Sequence, residues 1–162
     1  VSSRSVTHVT FTIERTYAAP PARVFQAFAD QATKQRWFQM PDHWVGKQHT
    51  LDFQVGGREL NRGGPPEGPV HTFDARFHEI VADERIVYAY DLFLDETRIS
   101  VSLASIELTA TDDGAGTQMR FTEQGAFLDG HEDPARREHG TNVLLDMVGA
   151  FVERAEADPV GA

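Results

Sequence analysis

The chain contains no cysteine. Disulfides, thiolate metal sites and thiol catalysis are therefore excluded, and a reducing, cytoplasmic setting is the expectation that fits. Its apolar stretches never approach the ~18 residues a membrane helix needs, so no segment is expected to span a bilayer. Val1 to Thr10 is polar and carries no signal-peptide core. Positive charge is scarce: 15 Lys and Arg stand against 25 Asp and Glu, a formal charge of −10. Such a chain repels phosphate backbones, and no basic patch offsets this, so no nucleic-acid partner is expected. The nucleophile elbow, the P-loop, the dinucleotide fingerprint and the HExxH helix are all missing. None of the seven histidines pairs at the four-residue spacing of a helical zinc site. His43 and His49 around Trp44, and His131 before the last helical stretch, read as solvated loop residues. Neither a metal nor a cofactor is expected.

What remains is a chain of 162 residues, 40% hydrophobic and 25% charged, the profile of one folded domain. Phenylalanine dominates the aromatics, with 11 residues against two Trp and three Tyr. A large apolar interior follows, either solid or hollow.

Hydrophobic phase places the elements. Val9, Phe11 and Ile13 alternate with polar residues, which predicts a half-buried strand over His8–Tyr17. Pro20-Pro21 stops it and opens a helix over Pro21–Ala29, with Val24, Phe25 and Phe28 on one face. Asp30 can cap a second short helix running toward Trp37-Phe38. Leu51, Phe53 and Val55 alternate again and predict a strand, turned by Gly56-Gly57 into a return strand over Arg58–Arg62. Gly63 to Pro69 reads as a loop by composition. Strands are then expected over Val70–Ile80 and around Ile86, Tyr88 and Tyr90. In the next strand the apolar phase shifts from odd (Ile99, Val101, Leu103) to even (Ile106, Leu108), which predicts a β-bulge near Ala104-Ser105. Asp112 to Gly116 is a hairpin turn before the last strand, Gln118–Gly125. Asp133-Pro134 starts a long helix expected to reach about Ala157 and to end at Asp158-Pro159. Its buried stripe is Thr141, Leu144, Leu145, Val148, Phe151, Val152 and Ala155.

This order resembles the helix-grip fold of the START-like (SRPBCC) superfamily. Local segments resemble its bacterial branch related to the activator of the 90-kDa heat-shock chaperone ATPase. Those segments are the helix opening Ala18 to Phe25, the Trp37-Phe38 pair, the glycine-pair hairpin Phe53 to Glu59, the strand Glu84 to Tyr90, and the passage Thr122 to Gly130. The likeness covers residues 8 to 156, taken as one domain between flexible termini, 1–7 and 157–162. It implies an α+β fold, a curved antiparallel sheet of about seven strands around a long C-terminal helix, with two short helices after the first strand. It also implies a hydrophobic cavity between sheet and helix, which relatives use for lipids, sterols, polyketides or plant hormones, and some for cyclase or hydrolase chemistry. The fold alone does not assign one of these.

Within that frame, Met119, Phe121 and Glu123 share a strand face, so Glu123 is expected to point inward. There it is either a ligand anchor and the one weak catalytic candidate, or half of an internal salt bridge to an arginine such as Arg58. Gly140, beside the buried stripe, either leaves room for a ligand or lets a strand approach. Tyr88 and Tyr90, if inward, need partners for their hydroxyls. The expected contacts of a small apolar or amphipathic ligand are Trp37, Phe53, Tyr88, Tyr90, Met119, Phe121, Glu123, Gly140 and Leu144. Binding without catalysis is the leading expectation. Contact with the chaperone, and a cyclase- or hydrolase-like enzyme using Glu123 and a tyrosine, are the rivals.

Overall fold

The computed structural model describes residues 3–157. Its first strand, β1 (Val6–Tyr17), leads into α1 (Pro21–Ala29) and α2 (Gln31–Trp37). Six more strands follow: β2 (Val45–Leu51), β3 (Arg58–Gly64), β4 (His71–Val81), β5 (Arg85–Leu94), β6 (Thr97–Ala110) and β7 (Thr117–Leu128). The chain closes with α3 (Pro134–Ala157). The strands form one antiparallel sheet in the order β1-β7-β6-β5-β4-β3-β2, so the first strand lies beside the last. Two short helices after β1 and a long C-terminal helix on the sheet make this the helix-grip α+β fold.

The helix starts rest on the residues expected to make them. Pro21 sits in the first turn of α1, where its missing N–H costs nothing. The Asp30 carboxylate accepts from the Thr33 backbone N–H at 2.9 Å and from its hydroxyl at 2.6 Å, which caps α2. Those two bonds hold the Asp30 carboxyl below the usual carboxylate range. Asp133 accepts from the Ala135 N–H at 2.9 Å at the start of α3. Leu145, Val148 and Val152 are buried on the inner face of α3, packed with residues of β1, β6 and β7 in one core. Gly149 lies against the Tyr17 ring, where a Cβ would come within 2.8 Å of the ring edge. Tyr17 donates its hydroxyl hydrogen to the Leu145 carbonyl at 2.7 Å, so helix and strand are pinned together at that point.

Four expectations need correction. Leu51 to Val55 is not a strand: β2 ends at Leu51, and the segment up to Gly57 is a turn. Phe53 is inward because it packs edge-on against Phe25 and Phe77, whereas Val55 is 63% exposed. The apolar alternation there reflects the packing of a turn. That turn needs Gly57, since a Cβ would run into the Asp52 carbonyl. Gly63 and Gly64, expected in the loop, belong to β3.

The bulge near Ala104-Ser105 does not exist. β6 runs in unbroken register with β7 from Ser100 to Ala110, and with β5 from Ser100 to Glu107. The irregularity lies earlier, at Ile99, which has no partner between Leu92↔Ser100 and Phe93↔Arg98. From Ser100 to Leu108 the even-numbered residues face inward; Ile99, at the irregularity, is buried as expected, whereas Val101 and Leu103 lie on the outer face, 40% and 45% exposed. Apolar residues on the outside and serines on the inside gave the phase the look of a shift.

Val6 and Thr7, expected in a flexible terminus, pair with Leu128 and Phe127. The remaining terminal residues 1–2 and 158–162, the helix end at Asp158-Pro159 and the Ala155 side chain lie outside what is described.

Candidate functional site

Directly paired residues share a face, so the register lays out the inner surface in rows. One row is Phe11, Glu123, Ala104, Tyr88 and Phe77. The next is Gly125, Ser102, Tyr90, Ala75 and Glu59. A third is Ser100, Leu92, Phe73, Asn61 and His49. Phe73, Phe77, Tyr88, Tyr90, Leu92 and Phe121 of these strands wall a depression, and α3 roofs it with Arg137, Gly140 and Leu144. The result is a cavity of about 510 Å³, within the size range of small-molecule sites.

Eight of the nine expected contacts line it: Trp37, Phe53, Tyr88, Tyr90, Phe121, Glu123, Gly140 and Leu144. Met119 does not. It is buried in the solid part of the core, two residues further toward the β7 start. Around Gly140 a Cβ would meet no atom within 4 Å, so the glycine opens onto space and admits no strand. Trp37 presents only its ring, because its indole N–H is spent on the Ala27 carbonyl at 2.8 Å.

Glu123 is inward and 1% exposed. Its partner is not Arg58, which forms an exposed bidentate pair with Asp74 at 2.7 and 2.8 Å. The cation is Arg137, a residue of the first turns of α3 that the sequence reading passed over. Glu123 Oε2 accepts from the Tyr90 hydroxyl at 2.8 Å, from Ser102 Oγ at 2.8 Å and from Arg137 Nη1 at 3.2 Å. Arg137 also donates to Glu132 through Nε and Nη2 at 2.8 and 2.9 Å, to Ser100 Oγ at 2.8 Å and to the Tyr90 oxygen at 2.9 Å. Its guanidinium lies over the rings of Phe127 and Tyr90, at 4.9 and 5.6 Å. Burial opposes this charge, but Tyr90, Glu132 and Glu123 outweigh it and hold the guanidinium above its ordinary value. Burial first, and the Glu123 carboxylate second, push the Tyr90 hydroxyl well up, so it stays a donor.

A second polar cluster sits where α2 meets β2 and β3. Glu59 is 3% exposed, with Lys34 Nζ 2.8 Å from both of its oxygens and His49 Nε2 2.8 Å from Oε2. Burial raises the Glu59 pKa as the largest single effect, yet Lys34 and His49 together overcome it and hold the carboxyl below its usual range. His49, expected as a solvated loop residue, is instead a strand residue bonded into this cluster, with its Nδ1 3.2 Å from Gln35 Nε2. His71 stacks on Trp44 at 4.7 Å, and burial lowers its pKa. Among the described residues no group of His, Asp and Glu could hold a metal ion, and no helix is long and apolar enough to cross a membrane.

The chain matches the family model described as Activator of Hsp90 ATPase homolog 1-like protein over residues 18–153. Among solved structures, the Mll3558 protein from Rhizobium loti is 46% identical, with a TM-score of 0.83 over 91% of this chain and 99% of that one. An uncharacterised protein from Rhizobium leguminosarum is 43% identical, with a TM-score of 0.86 over 94% and 99%. Protein CV1439 from Chromobacterium violaceum is 26% identical, with a TM-score of 0.73 over 89% and 97%. No curated protein matches. A helix gripped by a seven-stranded sheet and a family match across most of the chain lead to one assignment: this protein belongs to the Activator of Hsp90 ATPase homolog 1-like family, within the START-like superfamily.

Proposed function

We propose that the protein binds a small, largely apolar molecule in the cavity beneath α3. The observation that carries this reading is the cavity itself, a space of about 510 Å³ walled by aromatic rings inside a domain of ordinary size. Interiors normally pack to crystal-like density, so an opening of this kind forgoes contacts that a filled core would have. Gly140, an exposed residue at the mouth of the cavity, is compatible with the reading. A mid-helix glycine costs ~1 kcal/mol relative to Ala, and here it faces open space rather than a neighbour.

The Glu123 network favours an anchoring role over an enzymatic one. Three donors on Oε2 fix the carboxylate in one orientation and leave Oε1 to meet a polar group of a guest. The family's description carries a second reading, contact with the Hsp90 chaperone. The aromatic, roofed character of the site favours the ligand.

The test is Gly140→Leu with an environment-sensitive apolar dye. The added side chain should fill the cavity mouth, keep or raise the melting temperature, and abolish dye uptake. Unchanged dye uptake by a folded Gly140→Leu protein would overturn the reading.

A further inference from the structure

The cavity's polar groups are nearly all committed to one another, and the few left over describe what a ligand must offer. Glu123 is neutralised by Arg137, Arg137 by Glu132 as well, and Glu59 by Lys34. Thr141 spends its hydroxyl on the Arg137 carbonyl at 2.9 Å. Arg136 is exposed at the rim, outside the aromatic walls, where water screens its charge. With Glu123 and Glu132 sharing Arg137, and Glu59 held by Lys34, the walls present no unmatched positive charge to a guest.

Three groups stay open. The Asn61 carboxamide lines the cavity, and its Oδ1 is buried without a protein partner among the described residues. Glu123 Oε1 accepts nothing among the described residues, where all three donors converge on Oε2. The Tyr88 hydroxyl has no partner among the described residues, and burial, Tyr90 and the two carboxylates push its pKa well up, so it keeps its proton. Asn61 Oδ1 and Glu123 Oε1 are acceptor atoms. A buried acceptor left unmatched costs more than a matched bond returns, so these atoms select for a guest that donates.

We infer that the ligand is an aromatic molecule without negative charge that bears an N–H or O–H donor, and that Asn61 is the residue that reads this donor. The inference rests on the cavity being a binding site. It goes further by excluding organic anions such as fatty acids and by naming a specificity residue. Asn61 suits that role because its side chain makes no hydrogen bond among the described residues, so replacing it breaks none of theirs.

Three fluorescent probes of one skeleton test it: N-phenyl-1-naphthylamine, its N-methyl derivative, and its sulfonated analogue 8-anilinonaphthalene-1-sulfonate. The N–H probe should bind roughly fivefold to tenfold tighter than the N-methyl probe, the range one matched hydrogen bond supplies. It should also bind tighter than the sulfonate. In Asn61→Leu, with an unchanged melting temperature, the ratio of the first two dissociation constants should fall to about one while the N-methyl probe still binds. A ratio near one in the natural protein, a ratio unchanged in Asn61→Leu, or a sulfonate that binds as well as the N–H probe would overturn the inference and leave the cavity standing as a site. If none of the three probes binds, the binding reading itself fails, and this inference with it.

Discussion

Glu59 and Glu123 are both buried carboxylates on the inner face of the sheet, and each ties the sheet to a helix through a cation. The resemblance stops at the partners. Glu123 is held by a guanidinium, a tyrosine and a serine, none of which changes protonation near neutrality. Glu59 is held by an amine and an imidazole. The roof helix α3 is therefore anchored by a fixed network, and α2 by a network with titratable members on both sides. Permanence sits where α3 meets β5, β6 and β7, and adjustability where α2 meets the edge strands.

The largest expected effect is at the fixed anchor. Arg137→Met strands Glu123 as an unpaired buried charge and should cost about 3–5 kcal/mol in urea unfolding. Adding Glu123→Gln should recover most of that loss, because the stranded charge is then gone. Lys34→Met should cost less, about 1.5–3 kcal/mol, since His49 stays bonded to Glu59. Equal losses for the two single variants would break the comparison.

The smallest effect sharpens it. Because the folded Glu59 pKa lies below its ordinary value of 4.5, its contribution to stability is fully present above about pH 4.5 and lost as pH falls through the depressed value. Unfolding midpoints should therefore drop more steeply below pH 4.5 in the natural protein than in Glu59→Gln. Parallel curves would mean that Glu59 is not the acid-sensitive tie.

The helices were legible because their signals are local. Asp30, Pro21 and Asp133-Pro134 act within one turn of where they stand. β2 was not legible: its residues Val45-Gly46-Lys47-Gln48-His49-Thr50-Leu51 form an edge strand with little burial, so hydrophobic alternation has nothing to report. Arg137 hid among Arg136, Glu138 and His139, a run that reads as solvated. Extending the buried stripe backwards by helical spacing, from Leu144 through Thr141, lands on it. Ser100 and Ser102 hid in the same way, behind the apolar Val101 and Leu103. Continuing the even phase of Ile106 and Leu108 upstream would have found them. In each case the polar half of a buried network imitated a surface, which pattern reading cannot separate from a real one. The hydroxyls, the carboxylate and the guanidinium become recognisable as interior only once the strands are paired.

The pairing of β1 with β7 sets a timetable for the newborn chain. Thr12 and Thr122 lie opposite one another in that ladder, 110 residues apart. At about 5–20 residues per second, the ribosome delivers the partner of the first strand roughly 5–20 s after the strand itself emerges. Throughout that interval Phe11 and Ile13 have no core to enter. The alternation that later sorts β1 into an inner and an outer face serves first as a solubility device. Thr10, Thr12 and Glu14 flank each waiting hydrophobic residue with a polar one, so the opening segment can remain in water until the last strand arrives.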